Sequence, residues 1–234
     1  MATAQTVNNP YSVHRGPHPG AVAVVYVMLF VASLLLVGIT TKGEGFPNPY
    51  GDIQHAQTAL LQYIDIIRIS SFLQFGSAIP LGIFTAAVTS RLRFLGVNVT
   101  GVGIALFGGI SASVLMIISS LSGWIITQTG VANDINIMHA LQLFSFTTGG
   151  VAFAVATGLL MAGISVPCLF GNYTPKWVAL FGLILAAAAE LSSFSLLFYP
   201  ANFLIPIARF GSYIWMIATG FTLVKNKTNK SQTD

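Results

Sequence analysis

The chain has 234 residues and a formal charge of +4, with 54% hydrophobic and only 7% charged residues, against about 25% charged in an ordinary soluble domain. That composition cannot build a water-soluble surface, and the basic balance does not indicate nucleic acid, because the basic residues sit between apolar runs where the anionic inner leaflet of a lipid bilayer is their natural partner. Cys168 is the single cysteine, which excludes an intramolecular disulfide and a four-cysteine metal site.

Residues 1–20, broken by Pro10, Gly16, Pro17 and Gly20, read as a flexible cytoplasmic arm. The run AVAVVYVMLFVASLLLVGIT at 21–40 is twenty residues without a charge, about what a bilayer-spanning helix needs. It is longer than a signal-peptide core, and Thr40-Thr41-Lys42 lacks a small-residue cleavage pattern, so it reads as a retained first helix. Further spans are expected near 62–88, 99–126, 137–164, 177–198 and 203–223. Prolines punctuate this pattern: Pro47 and Pro49 in the first loop, Pro167 and Pro175 around the fourth, Pro200 after the fifth span. KNKTNKSQTD, 225–234, reads as a basic cytoplasmic tail. The expected fold class is all-α: a polytopic membrane protein in which residues 21–224 form one bundle of six transmembrane helices.

Six spans put both termini and the second and fourth loops on one side. Arg15, Arg91, Arg93, Lys176, Lys225, Lys227 and Lys230 fall there, whereas Lys42, Arg68 and Arg209 fall opposite, a split of seven to three. The positive-inside rule makes the terminal side cytoplasmic, in a plasma membrane. Glu44, Asp52, Asp65 and Asp134 belong to the outer half. Trp124 and Tyr199 at outer ends and Trp177 and Tyr173 at an inner one fit interfacial aromatic belts. Trp215, mid-span, is expected to pack on a small-residue helix, the alternative being a cavity wall.

Three stripes occur at helical spacing: Ser70, Gln74, Ser77; Gly101, Ala105, Gly108, Ala112; and Gln142, Ser145, Gly149, Ala152, Ala156. In lipid such stripes usually mean close helix contact. Ionisable residues within spans carry more information, since a charge at the bilayer centre costs about 2.5–3.5 kcal/mol on insertion scales. Asp65 and Arg68 are three apart and can neutralise one another. Glu190 and Arg209 fall at similar estimated depths on consecutive helices, which suggests an ion pair. His139 and Gln142 follow from the same outer side.

The expected function is binding or transport of a small molecule or ion through an outward-facing polar cavity. Its candidate residues are Glu190, Arg209, His139, Gln142, Asp65 and Arg68, with Glu190 and Arg209 as floor and His139 near the mouth. Pro80 would kink the second span and could open such a cavity. The alternatives are a structural or accessory subunit without ligand, whose ion pairs fix helix register, and a membrane-embedded hydrolase using His139 with Ser111, Ser113, Ser119 or Ser120. No cofactor or metal is indicated: His139 is the lone histidine within a span, and neither H-E-x-x-H nor G-x-S-x-G occurs. Cys168 reads as an inner-loop thiol, inert or open to palmitoylation.

The last two helices, TPKWVALFGLILAAAAE and IPIARFGSYIWMIATGFTLVKNK, resemble the C-terminal half of a broad group of uncharacterised six-span bacterial membrane proteins. Pro175, Lys176, Trp177, Gly182, Pro206, Arg209, Phe210, Trp215 and Gly220 carry the resemblance, over about a fifth of the chain. It implies a six-helix fold in a bacterial inner membrane and supplies no activity.

Overall fold

The computed structural model describes residues 14–43 and 48–225. The calls on Pro10, Glu44, Pro47, Lys227 and Lys230, and most of the basic tail, lie outside the described residues. Among the described residues nine α-helices follow in order: α1 Pro19–Thr40, α2 Ile53–Gln62, α3 Ile64–Phe94, α4 Thr100–Ile126, α5 Thr129–Ala132, α6 Ile135–Thr147, α7 Phe153–Gly171, α8 Lys176–Leu191 and α9 Leu204–Thr222. A π-helical turn, Thr148–Ala152, joins α6 to α7, and two 3-10 turns, Ser192–Leu196 and Tyr199–Phe203, join α8 to α9. No strand occurs among the described residues.

Among the described residues six continuous helical segments are long and apolar enough to cross a membrane: Pro19–Thr40, Ile64–Phe94, Thr100–Ile126, Ile135–Gly171, Lys176–Leu196 and Tyr199–Thr222. The protein is an all-α, multi-pass membrane bundle. Every expected span is present, and the largest boundary error is at the fourth, which runs on to Gly171 with Pro167 inside it. Pro80 likewise sits within an unbroken α3. A proline removes one amide donor, a loss that neighbouring helices make good in lipid. Cys168 is therefore a buried helix residue and not a loop thiol.

Local chemistry sets several helix ends. Asp52 caps α2 by accepting from the backbone N–H groups of Gln54, at 2.9 Å, and His55, at 3.5 Å. Asp134 caps α6 in the same way, from Asn136 and Ile137 at 3.0 and 3.1 Å, so two acids of the supposed outer half do the ordinary work of N-caps. Asn172 ends α7 in the left-handed conformation, φ 53°.

Helices α1, α3, α4, α7 and α9 close a ring, each packed on the next, and α8 lies outside it against α7 and α9. The most extensive contact joins α4 to α7. A Cβ on Gly108 would stand 2.6 Å from the Ala156 carbonyl oxygen, so the two backbones touch there, as the small-residue stripes foretold. Trp215, fully buried, lies against Gly182 of α8, which answers its mid-span position by packing.

Both described ends meet one face of the bundle. His14 hydrogen-bonds Ser90 Oγ at 3.1 Å and its ring lies 5.4 Å from that of Phe94. The Val224 N–H donates to the Tyr173 carbonyl at 3.0 Å. The opposite, distal face carries α2 and α5, which the sequence pattern leaves within loops. Gln57 Nε2 of α2 donates to the carbonyls of Ala132 and Asn133, at 3.0 and 3.2 Å. Leu60, Ile67, Ile126, Ala132 and Met138 form a separate small apolar cluster beneath α2.

Candidate functional site

The distal half of the ring is hollow. A cavity of about 350 Å³ is lined by Phe30 and Leu34 of α1, Ile67, Ser71 and Gln74 of α3, Met116, Ser119 and Gly123 of α4, Gln142, Ser145 and Phe146 of α6, and Ile205, Pro206, Arg209 and Phe210 of α9. Pro49 with Ala56 and Leu60 of α2 roof it. Among the described residues the walls are mostly apolar and the polar groups are amides and hydroxyls. Arg209 is the only ionisable residue in that described lining, with no carboxylate beside it.

The guanidinium carbon of Arg209 lies 4.6 Å from the ring centre of Phe153 and 5.2 Å from that of Phe30. Such contacts are worth about 2 kcal/mol when desolvated, close to the roughly 2.5–3.5 kcal/mol that an arginine costs on insertion. They explain why the residue is tolerated in the membrane. They do not supply acceptors: rings attract a guanidinium through charge, and Nε and Nη2 remain buried without a hydrogen-bond partner. Two phenols, Tyr26 and Tyr213, lie within electrostatic reach of the same charge and meet edge to face, their ring centres 5.4 Å apart.

The wall opposite is built by a reciprocal clamp. Ser119 Oγ donates to the Ser145 carbonyl at 2.8 Å and Ser145 Oγ to the Ser119 carbonyl at 3.0 Å, fixing α4 to α6 just before the π turn. Gly149 and Gly150 of that turn are buried and face the cavity. π turns inside α-helices are frequent at functional sites, and here the extra residue re-aims the fourth span between a cavity-lining half and a close-packed half.

The structure brings together Arg209 and Gln142 of the six sequence candidates, and leaves the other four outside the lining. His139, three residues before Gln142 on α6, is not among the lining residues, and its Nδ1 is buried without a hydrogen-bond partner. Asp65 and Arg68 pair with one another as expected, Nη1 to Oδ1 at 3.0 Å, yet on the outside of α3, where Arg68 also donates to Thr127 Oγ1 and to the Thr127 carbonyl at the end of α4.

The expected pair between Glu190 and Arg209 does not form: the one ion pair among the described residues is Asp65–Arg68. Gly211 of α9 packs on Leu185 of α8, and Arg209, two residues and therefore about 200° away, faces the opposite direction. Glu190 is exposed and its carboxylate lies over Gly158 of α7, five residues and about 7.5 Å of helical rise beyond the Phe153 that meets Arg209. Three of the four hydroxyls weighed for a hydrolase donate to backbone carbonyls: Ser119 to Ser145 at 2.8 Å, and Ser113 to Ala78 and Ser120 to Met116, both at 2.7 Å.

Sequence reasoning missed Phe30, Met116 and the whole roof, because apolar residues in spans carry no mark that separates a cavity wall from a lipid face. No protein-family model matches the chain, and comparisons with curated proteins and with solved structures find no match.

Proposed function

We propose that the protein binds, and passes across the membrane, a small anionic molecule held in the distal cavity, with Arg209 receiving its charge and Gln142 and Gln74 its hydrogen-bonding groups. The observation that carries this reading is the Arg209 guanidinium, whose Nε and Nη2 are buried and unpartnered, in a cavity with no carboxylate among its described lining residues. An arginine presents donors and no acceptor, in a fork suited to carboxylate or phosphate. Metal cations and amines are disfavoured by the same charge. The basic residues of the sequence support an outward-facing cavity with both chain ends cytoplasmic, and the resemblance of the last two helices supports a bacterial inner membrane.

The test is binding to the protein in phosphatidylcholine nanodiscs, using alkyl carboxylates, amines and alcohols of matched chain length. Carboxylates bind and stabilise, by about 2.7 kcal/mol at a hundredfold excess over Kd, whereas amines do not, and Arg209→Gln removes the difference. Equal stabilisation by amines, or carboxylate binding that survives Arg209→Gln, defeats the reading.

A further inference from the structure

We infer that the ligand comes from the bilayer: a single-chain amphiphile with a monoanionic head, seated with its head at Arg209 and its chain leaving between α1 and α9 into the distal leaflet. This rests on the anion reading above and adds the kind of anion and the route it takes.

The roof argues against a route from water. Above the cavity lie Ala56 and Leu60 of α2, both buried, Leu60 packed into the small apolar cluster with Ile126, Ala132 and Met138. Gln57 fastens α2 to the backbone beyond α5, and Tyr50 stacks edge-on against both Phe146 and Tyr199, at 5.6 and 5.3 Å. Among the described residues this distal layer is apolar, and a charged group crossing it would lose hydration.

The side wall is thinner. Near the terminal face α1 and α9 are tightly joined, Gly20 on Gly220 and Tyr26 on Tyr213. One turn further out the cavity reaches Pro206 and Phe210, which line it and are both exposed, Phe210 by 47%. Lining residues that are also exposed mark the thin part of the wall. Across from it stand Phe30 and Leu34 of α1, so the passage is apolar on both sides.

The volume and the charge fix the class. About 350 Å³ is near the lower end of the roughly 300–1,000 Å³ of ligand cavities, too small to enclose a two-chain lipid. A single guanidinium matches a single negative charge. A phosphate dianion would bring a second charge into a cavity with no second cation among its described lining residues.

The experiment uses the full chain in phosphatidylcholine nanodiscs and three carboxylates: butanoate, dodecanoate, and dodecanoate bearing a pyrene at its far end. Dodecanoate is expected to bind at least a hundredfold more tightly than butanoate. The pyrenyl acid should bind within about threefold of dodecanoate, because its bulky end stays in lipid, and Phe210→Asp at the passage should weaken both long acids at least tenfold. Comparable binding of butanoate and dodecanoate, or rejection of the pyrenyl acid by more than a hundredfold, overturns the lateral route while leaving an Arg209-dependent anion site standing. If no carboxylate binds, or binding ignores Arg209→Gln, the anion reading itself has failed.

Discussion

The two halves of the bundle solve the same problem in opposite ways. Toward the terminal face the helices meet through glycine and alanine: α4 lies on α7 with Gly101 against Gly163 and Gly108 against Ala156, and α9 on α1 with Gly220 against Gly20. Toward the distal face Met116 of α4, Gln74 of α3, Gln142 of α6 and Phe30 of α1 line the cavity, and small residues there meet hydroxyls, Gly123 against Ser71 and Gly149 against Ser119. In lipid no hydrophobic force presses helices together, so backbone approach must come from small side chains and van der Waals contact. Where large side chains interrupt the small-residue stripes, the bundle opens. The fourth span makes the change within one helix, at the π turn between α6 and α7.

The largest expected effect tests that division directly. Gly108→Leu drives a side chain into the Ala156 backbone at 2.6 Å, where nothing flexible can yield, and should destabilise by the upper end of the roughly 1–3 kcal/mol typical of overpacking, or more. Gly150→Ala, at the cavity, meets Ile205 Cδ1 at 3.8 Å and the Phe146 ring at 3.9 Å, both ordinary contacts, and should be neutral or gain up to about 1 kcal/mol from reduced chain entropy. Thermal unfolding in detergent ranks them. Equal losses would mean that the distal half is packed as tightly as the other.

Next in size are the charges. Glu190→Gln and Arg209→Gln should change stability independently, the double variant matching their sum within about 0.3–0.5 kcal/mol, because α8 and α9 turn these side chains in different directions. Recovery of stability in the double variant would restore the ion pair. Only Arg209→Gln should abolish carboxylate binding.

This pair also shows where sequence reading stops. Span number, the terminal ends on one face and the packing role of Trp215 were legible because hydropathy and small-residue spacing act along one helix. So was the Asp65–Arg68 pair, three residues apart. Glu190 with Arg209 required the rotation of two helices about their axes, which is set by contacts such as Gly211 on Leu185, and similar depth says nothing of azimuth. The roof was invisible for another reason. At ten residues α2 is too short and too polar to register as a span, and its fit over the cavity comes from tertiary contacts alone.

A smaller effect concerns the clamp that borders the hollow half. Ser119→Ala and Ser145→Ala each remove a hydrogen bond between α4 and α6, and membrane interhelical hydrogen bonds average about 0.6 kcal/mol with a maximum near 1.7. Because the two serines share partners, the double variant should cost less than the sum of the singles. Strict additivity in thermal unfolding would show that each serine acts alone and that the clamp is not a unit.

The smallest effect belongs to the terminal face and changes with pH. His14 hydrogen-bonds Ser90 and stacks on Phe94, and burial first, then the charge of Arg91, holds its imidazole below the ordinary value of 6.5. Docking therefore favours the neutral ring: the contact is fully made above about pH 6.5 and is lost as pH falls through the lowered value, since the undocked arm binds the extra proton. A fluorophore on a cysteine at Arg15, in a Cys168→Ala background, should lose anisotropy as pH is lowered from 8 to 5. In His14→Phe the ring contact with Phe94 can persist without a titrating group, so anisotropy should stay flat across that range. If both proteins follow the same curve, the arm's attachment does not depend on His14, and the terminal face holds it by the helix-end contacts of His18 on Phe221 instead.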